Sequence, residues 1–275
     1  MLSLHTNAAS LSAQAVSGAT NKALSTSMTR LSTGFRVNSA MDDAAGLQIA
    51  TRLDAQARGM AVAQRNTQNG VSMLQTAEGA LNEVNSMMLR MKDLATEASN
   101  ATSSAVDKTA MDAEFDALAT EIDSIMTNTK FGGQALLTAG TFAASATFQI
   151  GASGAETYAF DASTQMTALA GAITALKAGD ITAAGNGVIA LADTASAAVG
   201  TMRSSLGAAA NRLDHVYNNL SNMTQNTEAA KGRIMDVDYA SESANMTTKQ
   251  MLMQASTSML KQSNSMSQLA LSLLQ

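Results

Sequence analysis

Apolar residues recur at helical intervals along most of this chain. In the first segment Leu4, Ala8, Leu11 and Ala15 are spaced 4-3-4, and Leu24, Met28, Leu31 and Phe35 repeat that spacing. From Val71 the row continues through Leu74, Leu81, Val84, Met88, Met91, Leu94 and Ala98, and Met111, Phe115, Leu118, Ile122 and Ile125 predict a second, shorter helix. The C-terminal half is more regular, with Val199, Met202, Leu206, Ala209, Leu213, Val216, Leu220 and Met223 alternating by threes and fours. After a polar interruption at 234–241, Leu252, Met259, Met266 and Leu273 fall seven apart, with Ala255 and Leu269 between them. Met246, Met253, Leu260 and Leu274 add a second row. Heptads sustained over this length predict helices packed side by side as coiled coils.

Between Phe131 and Ala175 the pattern changes. The segment has no Lys or Arg, and its acids are Glu156 and Asp161. Thr147 to Ile150 and Thr157 to Phe160 alternate in character around a Gly-rich stretch, which predicts a β-hairpin region at about 131–175. Residues 171–187, rich in Gly and Ala, read as a short helix followed by a loop. The expected fold is mainly α: a long antiparallel coiled-coil helical hairpin, a rod, with a small β-hairpin region where the chain turns. Its termini would lie side by side.

Composition sharpens this picture. The 275 residues include 19 methionines but no proline, cysteine or tryptophan. At an average usage of about 5%, roughly 14 prolines would be expected, so something keeps proline out. Without cysteine there is no disulfide framework, thiol nucleophile or Cys-ligated metal. A net charge of −5 argues against a nucleic-acid binder, which would carry a basic patch. No stretch approaches the roughly 20 apolar residues of a membrane span, and the start of the chain lacks the form of a cleaved secretory signal. The chain is therefore expected either to remain in the cytoplasm or to leave by a route without such a signal.

Catalytic chemistry finds little support. Asp42 with Asp43, and Asp236 with Asp238, are carboxylate pairs, but each sits where a helix begins after a polar break and reads as a cap. His215 has Asp214 beside it, and adjacent helix residues point apart; His5 has no neighbouring ligand set. No cofactor, metal or membrane contact is expected, and no enzyme activity. Methionines on the heptad rows read as core filler. What remains is assembly. The terminal helices carry wide apolar faces that two helices alone would leave partly open, and copies joined by a contact that does not close on itself grow into a helical filament.

The segment from Arg30 to Leu47, with Arg65-Asn66, Gly70-Val71-Ser72 and Gln75 to Leu81, resembles the N-terminal region of bacterial flagellin. Phe148-Gln149-Ile150-Gly151-Ala152 is similar to that family's hairpin signature. The C-terminal half matches at Leu206-Gly207-Ala208, Asn211-Arg212-Leu213, Gly232-Arg233-Ile234, Asp238-Tyr239-Ala240 and Leu271 to Leu274. Met41, Gly132, Ser267 and Gln275 depart from the family's usual lysine, asparagine, proline and arginine.

The resemblance implies a secreted structural protein of the flagellar filament, exported unfolded through the type III apparatus. Residues 1–40 and 236–275 would form the inner-tube helix pair and 41–235 the shell, with no room for large outer domains. Assembly residues on the terminal helices would be Leu4, Leu11, Leu24, Met28, Leu31, Leu252, Met259, Met266, Leu269 and Leu273. Implied partners are further copies of the chain, an export chaperone, the filament cap and hook-junction proteins. The family's patch for the vertebrate Toll-like flagellin receptor falls on Leu89, Arg90, Leu94 and Glu114, of which Arg90, Leu94 and Glu114 match the pattern and Leu89 replaces a usual glutamine. An equal reading places Leu94 in the core stripe and Arg90 and Glu114 on solvated faces. The alternative to a filament subunit is a hook–filament junction protein or another type III rod or needle component.

Overall fold

A chain without proline can run its helices long, because nothing removes an amide donor or clashes with the preceding turn. The computed structural model describes residues 7–272, with side chains through Met266. Its elements are α1 (Ala8–Thr33), α2 (Ala44–Ala98), α3 (Ala105–Asn128), β1 (Lys130–Phe131), β2 (Gln134–Ala135), β3 (Ser145–Gln149), β4 (Thr157–Asp161), α4 (Ser163–Lys177), α5 (Ile181–Met235) and α6 (Tyr239–Ser272). A single 3₁₀ turn, Thr141–Ala143, precedes β3. The fold is mainly α with two small antiparallel strand pairs, as the periodicity predicts. The chain divides into two compact units, Met1–Gln56 with Asn226–Gln275, and Ala57–Gln225.

The 57–225 unit holds a continuous apolar core. α2 contributes Leu74, Leu81, Val84, Met88, Met91 and Leu94, α3 contributes Phe115 and Ile122, and α5 contributes Val199, Met202, Leu206 and Leu213. These are the rows that the heptad spacing predicts. Burial of each such side chain stabilises the unit by roughly 1.5–3 kcal/mol before entropy is set against it. At the start of α3, Ser104 Oγ accepts from the Asp107 amide and the Asp107 carboxylate accepts from the Ser104 amide. This capping box satisfies two donors that the first helical turn leaves open.

β1 and β2 are joined by Gly132 and Gly133, both at positive φ (57° and 87°). That conformation suits glycine and matches the twist of a tight hairpin. β3 and β4 pair from Ser145 with Asp161 to Gln149 with Thr157, confirming the predicted hairpin. Gln149 closes its turn, with Nε2 donating to the carbonyls of Gly151 (2.9 Å) and Ser153 (2.6 Å). Phe148 stacks on Tyr158, and the Arg212 guanidinium lies 4.3 Å over the Tyr158 ring. The hairpin thereby grips α5. It also lies hard against α2, where a Cβ on Gly70 would stand 3.0 Å from Phe148 and 3.1 Å from Leu213.

Two expectations change here. The stretch read as hairpin region up to Ala175 becomes helix α4 from Ser163, because Met166, Leu169, Ile173 and Leu176 form a buried helical row. Asp161 also accepts from the Ser163 amide at its start (3.0 Å). The loop expected toward 187 is the first turns of α5. Asp180 accepts from the Thr182 amide (2.8 Å) and the Ala183 amide (3.2 Å), starting a helix that bends at Ala184 (φ −141°, ψ 46°).

Candidate assembly interface

The terminal unit is built on α1 packed antiparallel along α6. At one end Asn7 caps α1 by accepting from the Ser10 amide (3.1 Å), while its Nδ2 donates to the Ser263 carbonyl (3.2 Å). Ser10 Oγ bonds Asn264 Oδ1 (3.2 Å). At the other end Gly34, in the left-handed conformation (φ 76°), stops α1 and donates to the Arg30 carbonyl (2.9 Å). The chain then pairs with the connection between α5 and α6: the Arg36 amide donates to the Met235 carbonyl (2.6 Å) and the Val237 amide to the Gly34 carbonyl (3.0 Å).

Of the four acids expected to cap helices, Asp43 and Asp238 do so, whereas Asp42 holds the turn before α2 and Asp236 pairs through its backbone in a bridge to Phe35. Asp43 Oδ1 accepts from the Gly46 amide (2.8 Å) at the start of α2. Asp238 accepts from Ser241 Oγ (2.8 Å) and from the Ala240 amide (3.0 Å). The Ser241 hydroxyl, then the Ser241 and Ala240 amides, hold the Asp238 carboxyl below the ordinary aspartate range. Asp42 accepts from the amides of Ser39 (2.9 Å) and Asn38 (3.1 Å), which lower its pKa most, followed by the Ser39 hydroxyl. Arg30 reaches Glu242 (3.8 Å) and Asp42 (4.0 Å), and Asp54 pairs with Lys231 (2.6 Å).

The contact between α1 and α6 is mostly small and polar. On α1 the inward positions are Asn7, Ser10, Ala13, Ser17, Thr20, Leu24, Ser27 and Leu31, a heptad row with leucine only at its end. On α6 the row is Glu242, Met246, Lys249, Met253, Ser256, Leu260 and Ser263. This includes the second of the two apolar rows predicted for that helix. The first row points away: Leu252, Met259 and Met266 are exposed, with Met259 at 66%. Leu11 (56%), Val16 and Met28 are likewise exposed on α1.

Among the residues expected to serve assembly, Leu24 is thus buried within the subunit and Leu31 half-buried, while Leu11, Met28, Leu252, Met259 and Met266 stand in solvent. Leu4 and Leu273 lie outside the described residues, as does the side chain of Leu269. Apolar periodicity does not register the inward polar row, Ser10, Thr20, Ser27, Ser256 and Ser263. The signal was a second heptad, of Ser, Thr and Asn, running beside the first.

In the other unit Arg90 pairs with Glu114 at 2.8 Å on the surface, and Leu94 is buried in the core at 2% exposure. Among the described residues no group of His, Asp or Glu could hold a metal, and no helix is long and apolar enough to cross a membrane.

Comparison with known proteins bears on this architecture. The family model for the bacterial flagellin N-terminal helical region matches residues 4–141, and that for the flagellin C-terminal helical region matches 189–274. A flagellin of Halalkalibacterium halodurans is 43% identical over 251 residues, 90% of each chain. Flagellin A of Vibrio anguillarum is 34% identical over an alignment of 379 positions that spans both chains. That alignment is longer than this chain, so the Vibrio protein carries residues this one lacks. A crystal structure of Bacillus cereus flagellin is 31% identical and covers 61% of this chain and 94% of its own, with a TM-score of 0.49. With both terminal regions matched in order and a relative aligned over nine-tenths of its length, the chain belongs to the bacterial flagellins, structural subunits of the flagellar filament.

Proposed function

We infer that this filament subunit polymerises through the outward apolar rows of its terminal helices, residues 1–40 and 236–275 lining the inner tube of a hollow filament and 41–235 forming its shell. The observation that carries this reading is the terminal pair, in which α1 and α6 meet through a seam that mixes Ser, Thr and Ala with Leu24, Met246, Met253 and Leu260, while Leu11, Met28, Leu252, Met259 and Met266 stand in solvent. Exposed apolar rows of that length on a monomer cost hydration free energy, which copies stacked along the helices would recover. Because each copy uses one face to meet a different face of the next, the contact stays open and a filament grows. The filament turns as a propeller, and rows of subunits carry motor torque along it. No enzymatic step is needed for that role.

The subunit would be exported unfolded and fold extracellularly at the growing tip, with an export chaperone, the cap and hook-junction proteins as partners. A chain without proline or cysteine suits this route: it folds without slow prolyl isomerisation and cannot be trapped by disulfides. Recognition by the Toll-like flagellin receptor would use the exposed Arg90–Glu114 pair, with Leu94 holding that face from beneath.

Deletion of Gln250 to Gln275 tests the assembly reading. It is expected to abolish filaments in seeded growth watched by electron microscopy, while circular dichroism of the 57–225 region stays helical. Normal filaments from the truncated chain would overturn it.

A further inference from the structure

Nineteen methionines in 275 residues, with no cysteine, make the thioether this chain's only oxidisable sulfur. The structure spreads these side chains from sealed to solvated, with Met73, Met87, Met111, Met235, Met246 and Met253 half-buried between the extremes. Met60, Met88, Met91 and Met202 are 1% exposed or less, sealed in the core. Met28, Met251, Met259 and Met266 stand about half or more exposed on α1 and α6, and Met259 and Met266 lie on the outward heptad row with Leu252. We propose that Met28, Met251, Met259 and Met266 form an oxidation-sensitive patch through which hydroperoxides block addition of the subunit to a filament. The proposal rests on the assembly reading above.

The chemistry is a two-electron oxygen transfer. A lone pair on the methionine sulfur attacks one oxygen of the hydroperoxide, an S–O bond forms as the O–O bond breaks, and the departing oxygen takes up a proton, leaving as water when the oxidant is hydrogen peroxide. Sulfur is oxidised to the sulfoxide and the peroxide is reduced. The reverse step consumes a dithiol and yields a disulfide and water, as methionine sulfoxide reductases carry it out. Oxidation turns a flexible apolar group into a strongly polar one. In the monomer a sulfoxide at these positions is hydrated and costs little. In an interface it must be buried without a partner, and one such group weakens association by roughly tenfold or more. The core methionines are shielded from the oxidant, so the fold is kept while assembly is lost.

Met41 supplies the internal control. It is the most exposed large apolar side chain among the described residues, at 92%, but it lies in the turn before α2 and on neither terminal helix. Its oxidation should be silent.

The test uses the full chain, treated with hydrogen peroxide as monomer and, separately, as preformed filament. Sulfoxides are mapped by peptide mass spectrometry and growth is followed by sedimentation from filament seeds. Treated monomers are expected to gain one oxygen at each of the four positions, keep their helical circular dichroism, and need at least about tenfold more subunit to grow. Methionine sulfoxide reductase with a dithiol should restore growth. The variant with Met28→Leu, Met251→Leu, Met259→Leu and Met266→Leu should grow equally with or without peroxide, although Met41 is oxidised. If that variant fails to fold, the reductase rescue of the native chain carries the same test. Unchanged growth of native subunits bearing all four sulfoxides would overturn the proposal. In that case, protection of the four methionines in filaments would leave the assembly reading intact. Equal oxidation of the four in filaments and monomers would overturn the assembly reading itself, and the proposal with it.

Discussion

The two units of this flagellin use the same ingredient, an amphipathic heptad helix, in opposite ways. In the 57–225 unit the apolar rows of α2, α3 and α5 turn toward one another, and Leu81, Phe115 and Leu213 are fully buried. In the terminal unit α1 and α6 meet through Ser27, Thr20 and Ser256 interleaved with Leu24, Met253 and Leu260, and the leucines and methionines of another row are left outside. Small polar residues allow close approach of two helices but contribute little apolar burial, so the terminal pair is held by weaker forces. The difference separates a subunit's own fold from its capacity to join others. A core that is complete within one copy makes a rigid body, and in the assembly proposed above the terminal pair is completed only by further copies.

The largest break in that comparison is expected from Phe115→Ala. It leaves a cavity among α2, α3 and α5 and should cost about 3–5 kcal/mol of unfolding free energy in urea titration. If the core is the seat of monomer stability, no terminal-helix substitution should approach this value.

Leu252→Asp is the converse. On the exposed row it should change monomer stability by no more than about 0.5 kcal/mol. Buried in an interface, the carboxylate would be desolvated without a partner, and seeded growth should fall below detection. A variant that still forms filaments would show that this row does not serve assembly.

Gly70→Val asks how tightly the hairpin is seated. A branched side chain there collides with Phe148 and Leu213, and about 1–3 kcal/mol of destabilisation is expected, with faster hydrogen exchange at Thr147 to Ile150. Ser104→Ala removes one half of the capping box of α3 and should cost about 1 kcal/mol, seen as fraying of Ala105 to Lys108.

The smallest effect is the pH response of the Asp42 turn and the Asp238 cap. Asp42 and Asp238 are held below the ordinary aspartate range by hydroxyl and amide donors. A carboxyl with a lowered folded pKa contributes stability at pH values above its unfolded pKa and loses it as the pH falls through the folded value. Helix-end fraying at Tyr239 to Ser241 is therefore expected below about pH 4 and not between pH 5 and 8. Asp238→Asn should flatten the response at that end.

How much of this could be read beforehand differs between the units for the same reason that they differ in role. The row from Leu74 to Ala98 and the row from Val199 to Leu213 are buried as their spacing implies. One apolar face and one interior to fill leave a single way to pack. α4 is masked in the sequence because its row of Met166, Leu169, Ile173 and Leu176 follows directly on the strand pattern of Tyr158 and Phe160. The change of period falls within a few residues.

The helical class, the heptad rows, the hairpin at Thr147 to Phe160, the capping by Asp43 and Asp238 and the flagellin family were determined by the amino-acid sequence itself. These depend on residue spacing and on local hydrogen bonding, which neighbouring residues settle among themselves. Which of the two apolar rows on α6 faces α1 was decided only by tertiary structure. Met246, Met253 and Leu260 lie on one row, Leu252, Met259 and Met266 on the other, and both are spaced for a partner helix. The choice comes from the register of α1 along α6, pinned by Asn7 to Ser263 at one end and by Gly34 to Val237 at the other. Those contacts join residues more than two hundred positions apart, and no local pattern encodes them.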